Sequence, residues 1–238
     1  MYITQIYISS DNSPLPPALE ATTRLVRRLY PDANYRLYDA ETLRAYIEAH
    51  FSPEVLQAYD RLKPYAFKAD LGRMCLLYGR GGLYLDLPLQ PVRPLFVGPE
   101  IKAILFRDFN LMLPSSWGVS NSFFYTLPRA RFLATAIELA IARIKSGDYG
   151  VTPFSITGPG VFGQALAREG ENENVIFGDR LPLTPLHPNK NFAFVMPDGS
   201  IAAWGKQAGN GGDLTPYGAT ATNNYMTMWK EGDVFENA

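Results

Sequence analysis

Residues 68–95 read KADLGRMCLLYGRGGLYLDLPLQPVRPL, and this stretch decides the fold. Its first half is apolar on most sides and is read as a helix from about Pro64 to Tyr78. Gly79 and the Gly81–Gly82 pair stop that helix. Beyond them, Leu83–Leu87 is a short apolar run of the kind that forms a buried strand. Asp86 stands near the C-terminal end of this strand, and Pro88 follows two residues later. In open α/β sheets, ligands bind beyond the C-terminal ends of strands, which gives an anionic side chain there a purpose.

The flanking segments keep an α/β rhythm. YITQIYIS (2–9) and NYRLY (34–38) read as short strands, with ALEATTRLVRRLY (18–30) as a helix between them. DAETLRAYIEAH (39–50) reads as a helix capped by Asp39, and SPEVLQAYDRL (52–62) opens with a serine cap and a proline. PRARFLATAIELAIARIKSG (128–147) and VFGQALAREG (161–170) are later helices. From about Gly178 to Gly218 the chain is rich in Pro, Gly and Asn, which predicts loops with short strands. The expectation is a single α/β domain over residues 1–238 with a mostly parallel central sheet. Its loop-rich C-terminal part, about 178–238, is expected to complete the site.

Composition narrows the function classes. The chain has 238 residues, 47% hydrophobic, with a formal net charge of -1, so no basic excess suggests a nucleic-acid partner. Any membrane association is at most peripheral, since no apolar run approaches the roughly 20 residues of a span. The single cysteine, Cys75, lies in the apolar run MCLLY and cannot form an internal disulfide, which favours a reducing compartment. His50 and His187 are far apart, with no zinc-like spacing around them. The opening MYITQIYISSD lacks the basic start and long apolar core of a signal peptide. A soluble cytoplasmic protein is expected.

Asp70 and Arg73 are three residues apart and share one helix face. One reading is a surface ion pair. The other is that a helix buried on most sides aims its acid, its arginine and Lys68 at something polar.

The run 68–95 resembles the sugar-nucleotide-binding segment of glycosyltransferase family 32, the DxD-containing, mannosyltransferase-like and capsule-type enzymes. The glucosylating clostridial toxins are distant relatives of that family. Asp70, Arg73, Gly81, Gly82 and Asp86 fall at the family's spacing. ITQIYIS with the following LPP, SNSFFYTLPRARFL, TGPGVF and TNNYMTMW resemble its other elements. The resemblance implies a GT-A-type fold and transfer of a hexose from a nucleoside-diphosphate sugar to an acceptor hydroxyl of a glycan, polysaccharide or glycolipid. It assigns Asp86, Arg73 and Asp70 to catalysis. Tyr7 would stack on the nucleobase, and Asn121 would stand near the donor sugar. Ile8, Lys68, Leu85 and Trp229 would also contact the donor. A manganese or magnesium ion would bridge the diphosphate, with Asp86 and Asn224 as ligands. Asp213, Asn223, Asn224 and Trp229 would belong to a closing segment. The free amides of TGPG (157–160) would face an anion or acceptor, or simply cap a helix. Acceptor recognition is expected in residues 108–122 and 178–218.

Pro88 departs from the family, because it stands where the second acid of DxD would ligate the metal. Proline brings neither charge nor a donor. Metal binding through Asp86 and the C-terminal segment, charge compensation by Arg73 and Lys68, and loss of catalysis with donor binding kept are the three readings. No Ser/His/Asp arrangement stands out, which agrees with a retaining transfer that uses the departing phosphate as base.

Overall fold

The computed structural model describes residues 1–108, 118–170, 173–187, 190–205 and 211–236. In chain order the strands are β1 (Tyr2–Ile6), β2 (Asn34–Tyr38), β3 (Gly82–Leu85), β4 (Gln90–Pro91), β5 (Ala103–Asp108), β6 (Val119–Thr126), β7 (Val175–His187), β8 (Lys190–Val195) and β9 (Ile201–Gly205). The helices are α1 (Pro17–Leu29), α2 (Ala40–His50), α3 (Pro53–Arg61), α4 (Tyr65–Arg80), α5 (Arg131–Ser146), α6 (Pro159–Glu169) and α7 (Tyr225–Lys230). All nine strands join one sheet in the order β2-β1-β3-β6-β5-β7-β8-β9-β4.

The sheet is mixed rather than mostly parallel. β1 pairs in parallel with β2 and β3, and β5 with β7; the other five pairings among the described residues are antiparallel. Parallel neighbours need a long crossover. Among the described residues, helices supply one between β1 and β2, between β2 and β3, and between β6 and β7, and nowhere else.

The segment 178–218 also differs from expectation. Its Pro and Gly content predicts loops with short strands, and β8 and β9 are such strands, but β7 is 13 residues long. Pro182 lies opposite Phe192 where the ladder then shifts register, a place where a missing N–H is tolerated.

Two apolar layers flank the sheet. On one face α2 to α6 pack against Ile6, Ile8, Tyr84, Leu105 and Phe124. On the other, Val26 of α1 meets Ile3, Leu83, Leu85, Phe106, Phe123 and Phe194. Alternation along β3 therefore sends Leu83 and Leu85 to one layer and Tyr84 to the other.

Candidate active site

The turn from α4 into β3 sets the site. α4 runs through Gly79 to Arg80 and ends at Gly81, whose φ is 64°. Gly82 has φ 102°, and a Cβ there would lie 2.3 Å from the Tyr2 carbonyl oxygen. Only glycine lets β3 turn in this closely beside β1. β3 then emerges with Asp86 on the same face as Tyr84, whose hydroxyl donates to Asp86 Oδ1 at 2.8 Å. The Asp86 amide is tied to the Ser122 carbonyl, and the Leu89 amide to the Asp86 carbonyl. Pro88 lies inside that turn.

Arg73 reaches across from α4. Its Nη2 is 3.2 Å from Asp86 Oδ1 and 3.2 Å from Asp70 Oδ1. Its Nε donates to the Ala69 carbonyl, its Nη1 to the Asn121 carbonyl at 2.9 Å, and its guanidinium covers the Tyr84 ring. Asp70 also accepts from Asn121 Nδ2 at 3.0 Å and from Thr157 Oγ1 at 3.2 Å. Burial pushes the Asp70 carboxyl up to about 6; Arg73 opposes this and Asp86 adds to it. Burial works against the Arg73 cation, but Asp86, Tyr84 and Asp70 outweigh it and hold its pKa up. Burial also raises the Tyr84 hydroxyl, which therefore remains a donor.

The side chains are graded in exposure, 6% for Arg73, 14% for Asp70 and 34% for Asp86. Asp86 is thus the most open of the three, and Arg73 bridges it to Asp70. All three line a cavity of about 790 Å³, within the usual size of small-molecule sites.

The other expected site residues are distributed unevenly. Ile8 lines the cavity and Asn121 joins the network. Leu85 is fully buried in the opposite layer. Tyr7 is 6% exposed, packs with Leu19 and Leu87, and lies outside the cavity lining. Lys68 points away from the cavity. Its Nζ donates to the Tyr59 carbonyl at 3.0 Å, at the end of α3, and lies over the Tyr59 ring. The Asn224 side chain caps α7 by accepting from the Thr227 amide. Trp229 Nε1 donates to the Tyr149 carbonyl. Asn223 accepts from the Tyr65 amide and so ties the C-terminal segment to the start of α4. Within TGPG, Thr157 supplies a hydroxyl to Asp70, so the anion at that turn is the chain's own. Asp213 lines the cavity and accepts from the Thr215 amide. Of the expected acceptor stretch 108–122, residues 109–117 lie outside the described residues.

Three cavity-lining charges were not named singly from the sequence, Asp108, Arg180 and Lys230, although the first two lie in the stretches expected to recognise the acceptor. A signal for the first exists: AILFRD ends an apolar strand on an acid, as LYLD does.

The residues present do not fit a metal held by two side chains. Position 88 has no side-chain oxygen to give, the Asn224 oxygen is engaged by a backbone amide, and Asp86 Oδ1 already accepts from Tyr84 and faces Arg73. Among the described residues no three His, Cys, Asp or Glu side chains converge.

Residues 16–109 match the family described as glycosyltransferase sugar-binding region containing DXD motif. That span holds Asp70, Arg73 and Asp86. A sequence relative of this chain is an uncharacterized glycosyltransferase of Acanthamoeba polyphaga mimivirus. It is 40% identical over 87 residues, which cover 37% of this chain and 34% of the viral protein. The match thus spans about a third of that relative's length. Among solved structures, the PaToxG glycosyltransferase aligns with TM-score 0.51 at 17% identity, over 71% of this chain and 68% of that chain. The ligand-free glycosyltransferase domain from the YGT toxin aligns with TM-score 0.54 at 9% identity, over 71% and 77%. The fold is that of GT-A-type glycosyltransferases.

Proposed function

We propose that this chain transfers a hexose from a nucleoside-diphosphate sugar to an acceptor hydroxyl of a glycan, polysaccharide or glycolipid, with retention of configuration. The observation that carries this reading is the convergence of Asp70, Arg73 and Asp86 in one cavity, inside the segment that matches a sugar-binding region.

Asp86 has one carboxylate oxygen engaged by Tyr84 and Arg73 and presents the other to donor hydroxyls. Arg73 and Asp70 fix its orientation. Catalysis then needs charge compensation at the departing diphosphate. Lys68 is committed to α3, and Arg73 is divided between two carboxylates. Lys230 lines the cavity and makes no ion pair among the described residues, so we assign the compensating charge to its ammonium. The departing phosphate oxygen takes the proton from the attacking hydroxyl, which asks no base of the protein. The side chains around Asp86 do not make a divalent-ion site, so the compensating charge comes from the protein's own cation.

Incubating the purified chain with labelled UDP- and GDP-sugars, with manganese or with EDTA, tests this reading. Transfer or slow donor hydrolysis is expected for at least one sugar nucleotide. Absence of both for every donor would overturn it. Pro88 favours a second reading, a catalytically impaired protein that still binds sugar nucleotides; binding without any turnover would select it.

A further inference from the structure

We propose that Asp108, Arg180 and Phe192 form the acceptor subsite and take adjacent hydroxyls of a saccharide ring. The inference rests on the donor reading above but on different residues.

Asp108 closes β5, and Arg180 is its paired neighbour on the parallel strand β7. Arg180 Nη1 donates to Asp108 Oδ1 at 2.9 Å, with side chains 19% and 6% exposed. Both line the cavity, and the Arg180 bond to Oδ1 is the hydrogen bond the Asp108 carboxylate makes among the described residues. A carboxylate oxygen that no donor holds, on a residue lining a cavity, is a ready partner for a ligand hydroxyl. Burial accordingly raises the Asp108 carboxyl, with Arg180 opposing.

The preceding residues give a control within the same two strands. Arg107 and Asp179 are joined by two hydrogen bonds of 2.7 and 2.8 Å, but their side chains are 64% and 36% exposed. That pair is complete and faces solvent. The pair one residue on is incomplete and faces the cavity.

Phe192, on β8, also lines the cavity, and the Arg180 guanidinium lies 3.9 Å from its ring centroid. A carboxylate acceptor, a forked donor and an aromatic ring together match what a sugar ring offers, hydroxyls that both donate and accept beside an apolar C–H face. A lone peptide hydroxyl would use only one of these groups.

The separation from the donor network suits two sugar rings. The Asp86 amide is bonded to the Ser122 carbonyl and the Asp108 amide to that of Gly118. Four residues of extended chain between those positions span about 13 Å. A transferred hexose at one end and an acceptor ring at the other fit such a span.

The test uses the full chain with UDP-glucose, UDP-galactose, UDP-N-acetylglucosamine and GDP-mannose. Each donor is offered methyl glucoside, methyl galactoside, methyl mannoside or a peptide containing Ser and Tyr. The readout is the ratio of hexose transferred to hexose hydrolysed, which does not depend on the fraction of enzyme folded. At least one methyl glycoside is expected to accept. Asp108→Asn and Arg180→Lys should each lower the ratio about tenfold or more through a raised acceptor KM. Asp108→Asn leaves a partly buried arginine without its counter-charge, whereas Arg180→Lys keeps the charge, so one folded variant suffices. A ratio unchanged in a folded variant overturns the inference. So does donor hydrolysis with no glycoside accepting, or acceptance by the peptide alone. A chain that turns over no donor at all overturns the donor reading and this inference with it.

Discussion

Arg73 Nη2 lies 3.2 Å from Asp86 Oδ1, a contact between the middle of α4 and the exit of β3. The same nitrogen lies 3.2 Å from Asp70 Oδ1, so one guanidinium serves two carboxylates. Arg73→Met would leave the buried Asp70 and the partly exposed Asp86 without their counter-charge. The expected loss is about 3–5 kcal/mol of unfolding free energy at pH 7.5, measured by urea titration. A loss within the roughly 1 kcal/mol of an exposed ion pair would show that the bridge is only a surface contact.

Lys68 sits two residues before Asp70 but serves a different structure, the end of α3. Lys68→Met should lower stability by about 1 kcal/mol and change UDP affinity by no more than about twofold. Calorimetric titration checks this. A tenfold loss of affinity would return Lys68 to the donor site.

Asp70 predicts a pH signature. Its folded pKa of about 6 stands above its ordinary value of 3.8, so between those values the folded state holds a proton that the unfolded chain releases. Stability from this group is fully present below pH 3.8 and is lost as pH rises towards and through about 6. The wild-type melting temperature minus that of Asp70→Asn should therefore fall over this window and level off above it. A flat difference would mean that Asp70 titrates like a surface acid.

The α4–β3 segment was legible because its signals are local. Apolar runs, a glycine pair and an i, i+3 acid–arginine pair are all visible in one short stretch, and Asp70, Arg73 and Asp86 do meet. Lys68 shows where this fails: helix spacing places a residue on a face but does not say which neighbouring element covers it. Asn224 is similar, since a helix cap and a ligand use the same amide oxygen. Arg180 was hidden in a stretch whose prolines suggested loops, and its partner Asp108 is 72 residues away. The mixed sheet was illegible for the same reason, because strand pairing is set by contacts distant in sequence.

Pro88 gives a gain-of-function prediction. Pro88→Asp places a second carboxylate in the turn that begins at Asp86. Donor hydrolysis by this variant should become stimulated by manganese about tenfold or more, while the wild type responds little. A folded Pro88→Asp protein with no manganese response would contradict the view that residue 88 sets metal use.

Lys230 carries the compensating charge in the proposed mechanism. Lys230→Ala should reduce the rate of donor turnover by about tenfold or more with little change in melting temperature, as its side chain is exposed. Unchanged turnover would move that role to another cation.

The central claim is that the Asp86 carboxylate meets the sugar nucleotide. Donor hydrolysis by Asp86→Asn against wild type, under conditions where both are folded, tests it most directly. The account predicts a loss of about a hundredfold or more. Hydrolysis at the wild-type rate would contradict it.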